Sequence, residues 1–247
     1  MKWSRKGKDE SRMKTAAIVL AGGSGSRMHS NEKKQYMLIG DKPVLYYSLH
    51  AFQNSSIIDE IVLVCGKDDI ERCREEIVKP FGITKVRKIV AGGKERHDSV
   101  YEGLKAIGAC DYVMIHDGAR PFVDEGMIER IWAELLRVHA CTVGMMVKDT
   151  IKMSNEDGYV EKTLPREKLW MIQTPQSFSY SLICHAHEQR LKKGLQGLKI
   201  TDDAMLVEYI ERIPVKLIEG SYENIKITTP EDLVMAEAIQ KQRCEKN

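Results

Sequence analysis

The sequence predicts an α/β fold: a mainly parallel, twisted sheet with helices on both faces, plus a protruding β-hairpin arm. Three observations carry that prediction. Short apolar runs alternate with helical stretches along most of the chain, the pattern of a parallel sheet covered on both sides. Three of the apolar runs end in loops that contain glycine. One stretch, about 148–168, leaves the alternation for polar residues around an Asn155-Glu156-Asp157-Gly158 turn.

The elements follow in order. Ala16 to Leu20 is a buried strand running into Gly22-Gly23-Ser24-Gly25. Pro43 starts a helix through Leu49 and Phe52, and Ile57 to Cys65 is a second strand. Asp68 to Lys79 is amphipathic and reads as a surface helix. Val86 to Val90 is a third strand, Asp98 to Ile107 a helix, and Asp111 to His116 a fourth strand. Asp124 to His139 is the clearest helix, with Ile128, Ile131, Leu135 and Val138 at helical spacing. Thr142 to Val147 is a fifth strand, followed by the arm. Tyr180 to Lys193 and Asp202 to Glu211 are helical, and Val215 to Ile218 and Asn224 to Thr228 are strands. Pro230 opens a last helix, with Glu231 and Asp232 in its first turn.

A length of 247 residues, 43% hydrophobic and 30% charged, excludes collagenous, disordered and mucin-like chains. Lys+Arg 38 against Asp+Glu 36 leaves +2. That balance predicts neither a nucleic-acid nor a membrane partner, so any cationic chemistry must be local. The six cysteines have no C-x-x-C spacing and are expected to be reduced thiols of a cytoplasmic protein. No apolar run approaches the roughly 18–20 residues of a membrane span. Residues 1–14 mix basic and acidic groups without an apolar core, and are expected to be a tail and no signal peptide. The expected organisation is this tail, one domain over 15–240 with the arm inside it, and a C-terminal tail over 241–247.

In a parallel sheet, ligands bind outside the carboxyl ends of the strands. Three loops there carry chemistry. The first is Leu20-Ala21-Gly22-Gly23-Ser24-Gly25-Ser26-Arg27-Met28, followed by Lys33-Lys34-Gln35. Glycines let the backbone approach an anion and turn its amides toward it. Met28 breaks the dinucleotide pattern G-x-G-x-x-G, and no Gly-Lys-Ser/Thr of a Walker loop exists. Arg27 and Lys34 are the cations in reach. A tight strand-to-helix turn is the plainer reading of the same residues.

The second loop, Ala91-Gly92-Gly93-Lys94-Glu95-Arg96-His97-Asp98-Ser99, enters a helix N-terminus and suits an anionic ligand or a base edge. Asp98 or Ser99 is alternatively a simple helix cap. The third, His116-Asp117-Gly118-Ala119-Arg120-Pro121, puts a carboxylate just past a buried strand, well placed for Mg²⁺. Arg120 is there either for a ligand or as the salt-bridge partner of Asp117. His116 reads as scaffold. Lys226 stands in an otherwise apolar run and must emerge somewhere polar; Arg166 lies beyond the hairpin. His185 and His187 point apart on a helix and do not make a metal site.

Taken together, the segments LAGGSGSRM…KKQY, AGGKERHDSV, HDGARPFV, VKDTIK…TLPREKLWMIQTPQSF, ITDDA and ENIKITTPEDL span about 15–240. The chain thereby resembles the 2-C-methyl-D-erythritol 4-phosphate cytidylyltransferases of the non-mevalonate isoprenoid pathway. It departs where the family usually has Pro-Lys-Gln and this chain has Lys33-Lys34-Gln35. Lys34 is taken as the matching lysine.

The resemblance implies a Rossmann-like sheet and transfer of CMP from CTP to the 4-phosphate of methylerythritol, with Mg²⁺ present and pyrophosphate released. A phosphate monoester has a second pKa near 6, so the nucleophile is already mostly dianionic at pH 7. No general base is needed, and catalysis is positioning plus charge stabilisation. By resemblance, Arg27 and Lys34 stabilise the transition state, and Arg166 and Lys226 hold the attacking phosphate. Ala21, Gly22, Gly23, Gly93, Ser99 and Gly118 line the nucleotide pocket, supported by Arg96. Asp117 faces Mg²⁺ or the ribose, and Arg120, Thr150 and Thr201 lie on the acceptor side. The arm is expected to hook over a second subunit, so that Thr150 and Arg166 complete the partner's site in a homodimer.

Ribitol 5-phosphate cytidylyltransferase is the nearest rival, sharing HDGARPF and QTPQSF; TLPREKLW favours methylerythritol phosphate. A sugar-1-phosphate nucleotidyltransferase shares only the opening loop. A silent nucleotide-binding regulator is disfavoured because Arg27, Lys34 and Lys226 are all present.

Overall fold

Seven strands form the central sheet in the order β11-β7-β10-β6-β1-β4-β5 of the computed structural model, which describes residues 13–23, 28, 32–194 and 199–246. They are β1 (Thr15–Ala21), β4 (Glu60–Cys65), β5 (Val86–Ala91), β6 (Tyr112–Asp117), β7 (Ala140–Met146), β10 (Trp170–Ser179) and β11 (Lys216–Glu219). β1 pairs in parallel with β4 and β6, β4 with β5, and β11 with β7. Only β10 runs the other way, antiparallel to both β6 and β7.

Continuous apolar runs suit such strands because both faces are covered. In β1, Ala17, Val19 and Ala21 pack toward α1 (Val44–Asn54) and α4 (Glu125–Val138). Ala16 and Ile18 pack toward α3 (Arg96–Ala106), α5 (Tyr180–Lys193) and α6 (Asp203–Glu211). Ile128, Ile131 and Leu135 are all buried, as their spacing predicts. Asp124 caps α4 by accepting from Met127 N–H at 2.8 Å. α7 (Pro230–Lys246) packs with Ile39, Val44 and Phe122 in a smaller cluster beside the ribbon of β2 (Leu38–Ile39) and β3 (Lys42–Pro43).

The arm is an antiparallel hairpin of β8 (Lys152–Ser154) and β9 (Val160–Thr163), exposed along both strands. Its tip turns at Gly158, whose φ of +84° lies in the left-handed region. Asn155 Oδ1 accepts from Tyr159 N–H at 2.9 Å there, as its turn chemistry predicts.

Four expectations need correction. The segment 67–78 is not one regular helix but a 3₁₀ turn, the three-residue α2 (Ile70–Arg72) and a π-helical stretch. Asn224–Thr228 is extended without a ladder. Its Asn224 side chain turns inward to donate to Thr174 O at 2.9 Å, Ile227 N–H reaches Ala119 O at 2.8 Å, and Thr228 N–H donates to Asp232 Oδ2 at 2.8 Å. The chain past 240 is no tail, since α7 continues to Lys246. Finally, Trp170–Ser179 is a ten-residue strand that the residue pattern did not reveal. Its register breaks between Ile172 and Gln176, and Pro175 sits in that break, where no ladder N–H is demanded of it.

Candidate active site

The carboxyl end of β6 delivers Asp117 into a ring of cations. Asp117 Oδ1 accepts from Arg96 Nε at 3.1 Å, and Oδ2 from Lys226 Nζ at 2.5 Å. Arg96, in the first turn of α3, also donates through Nη1 to Asp203 Oδ2 at 2.7 Å. Burial pushes the Asp117 carboxyl upward, but Arg96, Lys226 and Arg120 outweigh it and hold the group well below the usual carboxylate range. Asp203 has only Arg96 to offset its burial, so its pKa is raised. The same Asp203–Asp117 pair overcomes desolvation at Arg96 and keeps it charged.

Arg120 is not the salt-bridge partner of Asp117. Its Nη1 donates to Asn224 O at 2.8 Å and its Nη2 to Ile172 O at 3.5 Å. Burial lowers its pKa, with Asp117 opposing and Arg96 adding to the fall. His116 is scaffold, as expected: Nε2 meets Arg120 O at 3.0 Å and Nδ1 meets Thr174 Oγ1 at 3.1 Å. Burial takes its pKa down to about 4, so the ring is neutral at pH 7.

Arg96, Asp117, Arg120 and Lys226 line a cleft of about 310 Å³ together with Thr174, Gln176, Thr201 and Asp202. Gln176 binds the start of α6 from both sides. Its Oε1 accepts from Asp203 and Ala204 N–H at 2.9 Å, while Nε2 donates to Asp202 Oδ2 at 2.9 Å. The residue pattern does not single out Thr174, Gln176 or Asp203. The available signal was an Asp202-Asp203 pair opening an apolar helical pattern, the usual mark of an N-cap. A second hollow of about 230 Å³ opens near Thr15 and Glu60, at the opposite ends of β1 and β4; no motif falls there.

Of the first loop and the turn after it, Ala21 to Gly23, Met28 and Glu32 to Gln35 are described. Lys34 opens a 3₁₀ turn, Lys34–Tyr36. A Cβ built on Gly23 would stand 3.9 Å from Lys34 Cε, so the lysine stem lies against the glycine backbone. Gln35 Nε2 donates to Ala21 O at 2.7 Å and ties this turn to the end of β1. Gly22 and Gly23 are exposed. Arg27 lies outside the described residues, as do Ser24, Gly25 and residues 1–12.

In the second loop Asp98 does serve a cap, as the reciprocal member of a capping box with Glu95. Ser99 Oγ accepts from Gly93 N–H at 3.1 Å and closes the loop. A Cβ at Gly93 would meet Asp98 Cβ at 2.4 Å, so only glycine fits. Gly118 is buried, with its N–H on Leu20 O at 2.8 Å, and serves the close approach of β6 to β1.

Thr201 therefore joins the Asp117 cleft, whereas Thr150 and Arg166 do not. Both are exposed on the arm; Arg166 Nη1 donates to Lys148 O at 3.0 Å. His187 is fully buried while His185 meets Glu211 at 2.7 Å, so the two diverge. Among the described residues no group of three or more His, Cys, Asp or Glu could hold a metal ion.

The cleft carries the cations Arg96, Arg120 and Lys226 around the single carboxylate of Asp117 and beside Asp202. Across residues 15–242 the chain matches the family model of 2-C-methyl-D-erythritol 4-phosphate cytidylyltransferase. The chain belongs to that family. It is a nucleotidyltransferase of isoprenoid precursor biosynthesis, transferring CMP from CTP to methylerythritol 4-phosphate. It is 51% identical to the 2-C-methyl-D-erythritol 4-phosphate cytidylyltransferase of Lachnoclostridium phytofermentans, over 92% of this chain and 96% of the other. Among solved structures it is similar to 4-diphosphocytidyl-2C-methyl-D-erythritol synthase from Anaerococcus prevotii. That likeness has a TM-score of 0.80 and 34% identity over 93% and 99% of the chains. The Thermus thermophilus cytidylyltransferase gives 0.72 and 30% over 91% and 98%. The methylerythritol family is thus favoured over the ribitol phosphate reading.

Proposed function

We propose that CMP transfer takes place over the Asp117 cleft, with the nucleotide on the glycine loops and the acceptor phosphate toward Lys226. The observation that carries this is the placement of Lys226. Its ammonium is held on Asp117, at the strand end where ligands of parallel sheets bind, and in one cleft with Arg120 and Thr201. Held charges need no reorganisation when a five-coordinate phosphorus develops extra negative charge. Lys34 and Arg27 stabilise that charge. Lys226 and Arg166 aim the attacking phosphate, which is already an anion and requires no base. The amides around Ala21, Gly22, Gly23, Gly93 and Gly118, with Ser99, shape the nucleotide side.

Mg²⁺ is the divalent cation assigned. Asp117 offers one carboxylate, which fits an ion that takes one or two protein oxygens and the rest from substrate phosphates and water. When bound, it neutralises triphosphate charge. A reducing compartment, the cytoplasm, suits six cysteines of which none is paired.

The arm completes the site of a second subunit. Ile151, Met153, Val160, Met171 and Ile172 leave apolar surface exposed along the arm and the start of β10, a patch suited to a protein interface. Two experiments test the reading. Pyrophosphate release from CTP is expected with methylerythritol 4-phosphate and not with ribitol 5-phosphate; the reverse would overturn the acceptor assignment. Mixing inactive Lys226→Met and Arg166→Met subunits should restore activity, because one site of each mixed dimer is intact. No recovery on mixing would end the shared-site model.

A further inference from the structure

The turn that carries Lys34 is gripped on its amino side by two ion pairs. Lys33 Nζ donates to both oxygens of Asp69, at 2.8 and 2.6 Å. Glu32 receives Arg72 in a two-pronged pair, Nη1 to Oε1 at 2.8 Å and Nη2 to Oε2 at 3.0 Å. The Arg72 guanidinium carbon also lies 4.0 Å from the centre of the Tyr36 ring, and the Tyr36 hydroxyl meets Cys73 Sγ at 3.2 Å. Glu32, Lys33 and Tyr36 thus bracket Lys34, and all three hold the segment 69–73.

That segment is itself anchored. Asp69 N–H donates to Gly66 O at 2.9 Å, and a Cβ at Gly66 would stand 2.6 Å from Asp69 Oδ2. Gly66 follows β4, where Cys65 O accepts from Gly92 N–H at 2.8 Å. The grip therefore runs from the Lys34 turn, through Asp69, to the end of β4, which the second loop joins through Gly92. Lys33 has φ −69° and ψ 134°, a backbone shape proline also takes. What its side chain adds is the hold on Asp69.

We propose that the Lys33–Asp69 and Glu32–Arg72 pairs form an electrostatic clasp that positions Lys34 beside Gly23 for the reaction. The clasp rests on the reading of Lys34 as a charge-stabilising group. Lys33, Asp69, Glu32 and Arg72 are positioning residues and touch no reacting atom. Side-chain exposures of 41% for Lys33 and 33% for Arg72 leave both pairs open to screening by salt.

The test is steady-state kinetics on the full chain, with CTP and methylerythritol 4-phosphate. Lys33→Met and Glu32→Gln should each lower kcat about fivefold, the scale of a partly exposed ion pair, with KM for the acceptor unchanged. Lys33→Arg should keep wild-type kcat. Between about 0.05 and about 0.5 M NaCl, saturated kcat should fall more steeply for the wild type than for the Lys33→Met/Glu32→Gln double variant.

In a Lys34→Met background the same substitutions should cost nothing further, because they act through Lys34. Equal losses with and without Lys34 would make the pairs plain supports of the fold and overturn the clasp alone. An unchanged kcat in Lys33→Met would also overturn it. A Lys34→Met variant with wild-type kcat would instead remove the reading of Lys34, and the clasp with it.

Discussion

The two cationic regions of this enzyme are built in opposite ways. Around Asp117 the charges are packed together. Arg96 bridges Asp117 and Asp203, Lys226 closes the ring, and Asp117 and Asp203 are both buried. On the arm, Arg166 is exposed and bonded to a single backbone carbonyl, and β8 and β9 are exposed at every residue. A buried charge network is costly to interrupt, because removing one member strands the others away from water. An exposed cation gives up little when it is removed. Substitutions near Asp117 should therefore change stability and activity together, and substitutions on the arm should change activity alone.

The largest effect is expected from Asp117→Asn. It leaves Lys226 without its carboxylate and should lower the free energy of urea unfolding by about 3–5 kcal/mol. A loss below about 1 kcal/mol would mean that the ring relaxes and is not a structural unit. Lys226→Met comes next, with a fall in kcat of about 10²–10³ if oxyanion-type donors are a fair guide. A change confined to KM would reassign Lys226 to uniform binding.

Acid should separate the body of the enzyme from the arm. His116 is held down to about 4, mainly by burial. His187, stacked on Tyr101 with neither ring nitrogen bonded, is held down to about 3 by burial and then by Arg190. Both lie below the unfolded value of about 6.5, so below that pH the unfolded chain binds protons that the folded chain refuses. Stability should fall as pH drops from about 6.5 to about 4, by up to about 1.4 kcal/mol per unit for each histidine. His187→Phe should flatten that slope in urea titrations at successive pH values; an unaltered slope would clear His187. The smallest effect on stability belongs to Thr150→Val and Arg166→Met. Unfolding should shift by less than about 0.5 kcal/mol, while Arg166→Met loses turnover and Thr150→Val raises KM for methylerythritol phosphate.

The Asp117 region was also the more legible in sequence, though not all of it. An apolar run ending in His116-Asp117-Gly118 announces a buried strand with a carboxylate at its tip, and that is where the structure puts it. Lys226 stands out because an ammonium in an apolar run must find a polar outlet. What the residue pattern hid is β10. Gln173, Thr174, Gln176 and Ser177 are buried there as polar groups, which defeats any rule that reads burial from hydrophobicity. Three of them are held by hydrogen bonds to Ser221, His116, Asp117, Asp202 and the start of α6. Those partners are distant in sequence, so nothing local signals them. The arm was legible for the opposite reason. Its turn chemistry is local, and Gly158 takes the conformation that an Asn-Glu-Asp-Gly run calls for.

The lone reversed strand has a consequence for how such an enzyme can diversify. Because β10 runs against β7, Trp170 stands opposite Met146 in the ladder, and the chain leaves and re-enters the sheet at neighbouring points. Everything from 147 to 169 is an insertion whose two feet share one doorstep. Its length and composition are free to drift without shifting the register of any strand or the path of any crossover. The Asp117 region has no such freedom, since β1, β6, α3 and α6 are tied together there by ladder pairs and the Arg96 bridges from separate parts of the chain. The arm is the part of the chain that can change while the sheet that carries it keeps its form.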